Sequence, residues 1–154
     1  IEVIEIGVPA EHVTTIDHDM ELPTKEFNPE REFKGQKFVH NRAEASTWSD
    51  FRIPGFTCRD TTIAKNTRNV AGVQVVKPNG AKIKPSSHNC DILFNFVMEG
   101  NMTLTASEQR PNDLTSGDAF VIPPNILTEY SNVSADLELL EVSLPGEFTT
   151  YYDT

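Results

Sequence analysis

The sequence predicts an all-β fold, a β-sandwich or barrel, carrying an N-terminal arm. Three observations lead there. Apolar runs are short and bounded by Gly, Pro and Asn, as at Val70–Val76 before Pro78-Asn79-Gly80. Helical periodicity is absent along the chain. Turn residues recur at regular intervals, including Glu99-Gly-Asn101, Gly117 and Pro123-Pro124-Asn125.

The 154 residues suit one domain with a real core, and hydrophobic residues make up 38% of them. No apolar run approaches a membrane span. The formal charge of -10 argues against nucleic acid or an anionic membrane as partner. Its plainest consequence is solubility. Cys58 and Cys90 cannot make a disulfide framework, and residues 1 to 20 lack a secretory signal. Two free thiols and a cytoplasmic setting are therefore expected. The triplets at Asn101 and Asn132 match the glycosylation pattern, but are discounted without a signal. The chain opens on Ile1 rather than Met, and is expected to be a fragment or a processed product.

Taken in order, the beginning echoes the end. Glu2-Val-Ile-Glu-Ile-Gly-Val-Pro-Ala-Glu11 parallels Glu138-Leu-Leu-Glu-Val-Ser-Leu-Pro-Gly-Glu147. Residues 1–37 read as a strand followed by a polar arm or linker. Asp17-His18-Asp19 lies in that linker, where three adjacent side chains on an extended chain do not converge. Residues 38–148 read as the barrel and 149–154 as a tail. Phe51, Ile53 and Phe56 flank a turn, and Trp48 is expected to pack outside the sheet. Cys58, Thr61 and Ile63 read as one short strand, and Ala81–Pro85 as an edge strand. Ile92–Met98 is the strongest strand. Alternation sets Leu93, Asn95 and Val97 on one face and Ile92, Phe94, Phe96 and Met98 on the other. That second face needs a cover: the arm, another sheet or a second subunit. Ser107–Ser116 reads as a loop, and Leu137–Leu144 as the last strand.

Two blocks of fixed spacing stand out. Gly80, five residues, Ser86-Ser-His88, four residues, Leu93, six residues and Gly100 form the first. Gly117, five residues, Pro123-Pro-Asn125, two residues, Thr128, three residues and Asn132 form the second. This spacing resembles the two motifs of the cupin superfamily. The resemblance implies the cupin double-stranded β-helix, a closed jelly-roll barrel. It also implies that the terminal echo is the last strand of a preceding cupin, making the chain half of a bicupin. The family's turn glycine falls on Asn125, and asparagine is the next best residue at positive φ.

The family's metal ligands, three histidines and a glutamate, fall on Ser86, His88, Thr128 and Leu93. Only His88 keeps its identity. A metal needs several converging donors, and leucine offers none. No cofactor is therefore expected. The alternative is a divalent ion (Fe, Mn, Ni or Zn) held by His88 with Cys90, Asp91 or Glu129. Ser86, His88, Leu93, Asn95, Thr128 and Tyr130 would line a pocket for a small polar organic molecule. His88 also has a plainer reading, a hydrogen-bonded interior histidine.

The resemblance thus implies a non-catalytic domain, binding a small molecule or serving a structural or regulatory role. Its partner would be a second copy or a preceding cupin domain. The competing expectation is a cupin enzyme (dioxygenase, lyase or isomerase) working through His88. A sugar-sensing domain of a transcription regulator is set aside, because no helix-turn-helix pattern is present.

Overall fold

A computed structural model describes residues 1, 3–12, 26 and 28–152. The linker residues 17–25 and 27, with Asp17-His18-Asp19, lie outside the described residues, as do Glu2 and the tail residues 153–154.

The chain enters through a small hairpin, β1 (Glu32–Phe33) and β2 (Gln36–Lys37), and a 3-10 turn at Ala43–Ala45. Then come β3 (Ser49–Asp50), β4 (Phe56–Asp60), one helical turn α1 (Ile63–Asn66) and β5 (Gly72–Pro78). The motif region contributes β6 (Ser86–His88), β7 (Ile92–Glu99), β8 (Asn101–Ala106), β9 (Asn112–Thr115), β10 (Ala119–Ile122) and β11 (Thr128–Ser131). β12 (Glu138–Leu144) and β13 (Thr150–Tyr152) close the set. Six strands form one sheet in the order β10-β7-β12-β5-β4-β3, and five form the other in the order β13-β6-β11-β8-β9. Their pairings are antiparallel. The expected all-β jelly roll is therefore what the chain forms. Among the described residues no helix is long and apolar enough to cross a membrane.

The motif residues fix the frame. Asn125 sits at φ 64, the left-handed conformation expected of it. Its N–H donates to the His88 carbonyl at 2.7 Å, which ties the second motif block to the first. Gly100 turns β7 into β8 at φ 76, and a Cβ there would lie 2.5 Å from Ser134 Oγ.

Several local expectations change. The strand through Cys58 stops at Asp60, whose Oδ1 accepts the Thr62 N–H at 2.8 Å and starts α1 instead of extending to Ile63. Ala81–Pro85 alternates as an edge strand would, yet pairs with nothing, and β6 begins only at Ser86. The loop 107–116 contains β9, paired to β8 and anchored by Thr103 Oγ1 donating to Asp113 Oδ1 at 2.7 Å. Its polar composition suits an edge strand with its outer face in water. A strand also follows Leu144, because β13 adds to the open edge of β6. Trp48 is 40% exposed, with the Lys77 ammonium 4.5 Å from its ring.

The core lies between the sheets, around Phe56, Leu93, Val97, Met102, Leu137 and Leu139. Burial of such side chains contributes about 1.5–3 kcal/mol each. The outer face of the six-stranded sheet is apolar too. Residues 4–10 run against Ile92, Phe94, Val121, Val142 and Leu144 there. That cover hides Val142 and leaves Ile92 and Val121 roughly half exposed.

Candidate functional site in the barrel interior

Register turns the six-stranded sheet into transverse rows. One row joins Cys58, Val76, Leu139 and Val97 on adjacent strands, all fully buried. Two residues along each strand, the next row joins Asp60, Gln74, Glu141 and Asn95. This second row is polar throughout and runs from exposed Asp60 at the rim to fully buried Asn95. The facing sheet sends in Ser86 and His88 from β6 and Thr128 and Tyr130 from β11.

The six side chains that the sequence proposes for a ligand pocket, Ser86, His88, Leu93, Asn95, Thr128 and Tyr130, are buried, each at most 5% exposed. Their polar atoms are not equally free. Thr128 Oγ1 donates to the Ser86 carbonyl at 3.1 Å and serves the β6–β11 seam. His88 Nδ1 accepts the Cys90 N–H at 3.0 Å, which assigns the proton of the neutral ring to Nε2. His88 Nε2, both amide atoms of Asn95 and the Tyr130 hydroxyl are buried without a hydrogen-bond partner. Leaving such a group unpaired costs about 1–3 kcal/mol.

Sequence reasoning missed the charged part of the site. Arg52, from the loop after β3, forks onto Glu141: Nε reaches Oε1 at 3.0 Å and the second nitrogen reaches Oε2 at 2.5 Å. Its third nitrogen donates to Thr150 Oγ1 at 3.4 Å. The guanidinium also lies 5.0 Å from the Phe51 ring and 5.2 Å from the Phe148 ring. Phe148 in turn meets the His88 ring edge-on at 5.9 Å. Glu141 is buried, at 5% exposure, and Arg52 is partly buried, at 16%.

These charges act on the unpaired groups. Burial, and then the Arg52 charge, hold the His88 imidazole below its ordinary value, so it stays neutral near pH 7. The Ile122 carbonyl pulls the other way without closing a hydrogen bond on Nε2. Burial pushes Tyr130 up, opposed by the Arg52 charge and by the guanidinium's approach to the hydroxyl oxygen, which stops short of hydrogen-bond geometry, so the hydroxyl keeps its proton. Arg52, Glu141 and Phe148 also form part of the wall of an open cavity of about 720 Å³, with Asp60, Lys65 and Arg68 at its rim.

The metal alternative is not assembled by these residues. Asp91 and Glu129 are exposed, Glu129 because alternation on β11 turns it away from Thr128 and Tyr130. Cys90 is buried, but its thiol donates to the carbonyls of Ile92 at 3.0 Å and Leu144 at 3.1 Å. Burial raises its thiol above the ordinary range, away from the thiolate a metal requires. Among the described residues, no three His, Cys, Asp or Glu side chains converge. The donor set does not fit the metal that the motif resemblance implies.

A jelly roll whose two motif blocks meet at a polar interior defines the cupin class. Residues 72–143 match the Cupin domain family model, and this part of the chain is a cupin domain. It is similar to an uncharacterized protein of Methanocaldococcus jannaschii, at 28% identity over 81 residues, 52% of this chain and 69% of that protein. KdgF from Halomonas sp. shares the fold with a TM-score of 0.56 at 16% identity, covering 68% of this chain and 93% of that one. The nucleoside dehydratase Pac13 shares it at 0.59 and 13% identity, over 76% and 92%. The polyketide cyclase RemF from Streptomyces resistomycificus does so at 0.59 and 20% identity, over 77% and 86%.

Proposed function

We propose that this cupin domain binds a small polar organic molecule inside the barrel without a metal ion. One observation carries the reading: three buried side chains, His88, Asn95 and Tyr130, hold four polar atoms that close no hydrogen bond within the protein. A domain serving only as scaffold gains nothing from that arrangement, because apolar residues of similar shape would be more stable there. The Arg52–Glu141 fork beside them is held rigidly and supplies orientation more than net charge. Such convergent polar groups among aromatic walls are the usual make-up of a ligand pocket.

A second reading has its own support. His88 is kept neutral with its proton on Nε2, which suits a general acid toward a bound molecule. Among proteins of this fold, Pac13 is a nucleoside dehydratase and RemF a polyketide cyclase. Fold alone does not choose between binding and chemistry. The apolar outer face, with Ile92 and Val121 half exposed beside residues 4–10, suits pairing with a second cupin sheet, in a homodimer or with a preceding domain.

The test joins elemental analysis with a thermal-shift screen of polar metabolites. The proposal expects no stoichiometric ion after incubation with Fe, Mn, Ni or Zn. It also expects hits on the native protein that vanish in His88→Gln. A stoichiometric ion lost in His88→Ala, or a screen without hits, would overturn it. Turnover of a hit, lost in His88→Gln, would favour the enzymatic reading.

A further inference from the structure

We infer that the interior site takes a planar, uncharged cyclic amide or imide; this rests on the small-molecule reading above and names its ligand class. The argument starts from Asn95. Its carboxamide leaves both Nδ2 and Oδ1 unpaired at 1% exposure. A side-chain amide presents a donor and an acceptor side by side, in one plane. Its complement is an acceptor and a donor side by side, which is the C=O/N–H edge of a lactam, imide or cyclic urea. Two parallel hydrogen bonds then satisfy both atoms.

The other unpaired groups add acceptor demand. His88 Nε2 carries the ring proton, since Nδ1 already accepts the Cys90 N–H. It donates, and the protonated Tyr130 hydroxyl donates as well. A ligand with carbonyl oxygens beyond the one facing Asn95 meets both. Net charge is disfavoured in either sign. The guanidinium of Arg52 is already forked onto Glu141 and leaves no free cation for a carboxylate. Asn95 is the register partner of Glu141, so an anion at the amide would face that carboxylate. A cationic ligand would meet Arg52 and the His88 N–H. Shape disfavours polyols: Leu93 and Val97 flank Asn95 on its strand at 0% exposure, and Phe148 and Phe56 stand edge-on to His88 and Tyr130. Hydroxyls spread around a ring would meet these walls unpaired, whereas the faces of a flat ring would not.

Isothermal titration with four probes tests this: 2-pyridone and hydantoin as the amide and imide, benzoate as a planar anion, and xylitol as a polyol. The expected result is binding of 2-pyridone or hydantoin, weakened about a hundredfold in Asn95→Leu by loss of two hydrogen bonds. Asn95→Asp keeps the size of the side chain and removes its donor, so it should lose affinity too. Circular dichroism of each variant verifies the fold. Tighter binding of benzoate or xylitol would overturn the ligand class and leave the small-molecule reading standing. Unchanged affinity for 2-pyridone and hydantoin in Asn95→Leu would also overturn the class. If none of the four binds and the metabolite screen is empty as well, both statements fail together.

Discussion

Two neighbouring rows of one sheet behave as different materials. The row Cys58–Val76–Leu139–Val97 is apolar and closed, whereas the row Asp60–Gln74–Glu141–Asn95, one pleat away, is polar and leaves an amide unpaired. Backbone and strands are shared, and at their inner ends both rows are buried, so the difference there lies in side-chain chemistry. The first row supplies stability by packing. The second gives stability up, and such local departures from the folding rules mark functional positions.

Substitutions break that comparison, and the largest effect belongs to the charged pair. Arg52→Met strands the Glu141 carboxylate in the interior and should destabilise by about 3–5 kcal/mol in urea unfolding. Adding Glu141→Leu should restore much of that loss, because the unpaired charge is then gone. Next comes the dry row. Leu139→Ala should cost about 2–5 kcal/mol through lost burial and a cavity. The polar row should respond with the opposite sign. Asn95→Leu removes two unpaired buried atoms and should raise stability by about 1 kcal/mol while abolishing ligand hits.

The smallest effect is one of pH. The folded His88 ring binds its proton more weakly than a free ring, whose ordinary value is 6.5. The unfolded chain therefore takes up the extra proton below that value, and stability falls as pH drops through it. Melting temperature should decline between about pH 7.5 and 5.5 in the native protein. In His88→Gln that decline should be shallower.

Much of this was legible in the sequence. The spacing from Gly80 to Asn132 carried the frame, and the left-handed turn at Asn125 followed from it. Alternation on Ile92–Met98 alone sets Leu93, Asn95 and Val97 on one face, and that face is the inward one. Glu141 escaped because a glutamate in a strand ordinarily faces water. Its signal was the alternation of Leu140, Val142 and Leu144, which the arm covers from outside, so that Glu141 must turn inward. Arg52 carried no such signal: it sits in an irregular loop and its partner is 89 residues away. Phe148 and β13 were hidden likewise, since a three-residue strand pairing across the fold has no local pattern.

Urea unfolding of Tyr130→Phe tests the central claim most directly, since the change removes one oxygen and little else. If the hydroxyl is held unpaired for a ligand, the variant should be more stable than the native protein by about 1 kcal/mol at unchanged m-value. Destabilisation by about 1 kcal/mol or more would mean that the hydroxyl is already bonded within the folded barrel. The polar row would then be structural, and the case for a binding site would fall.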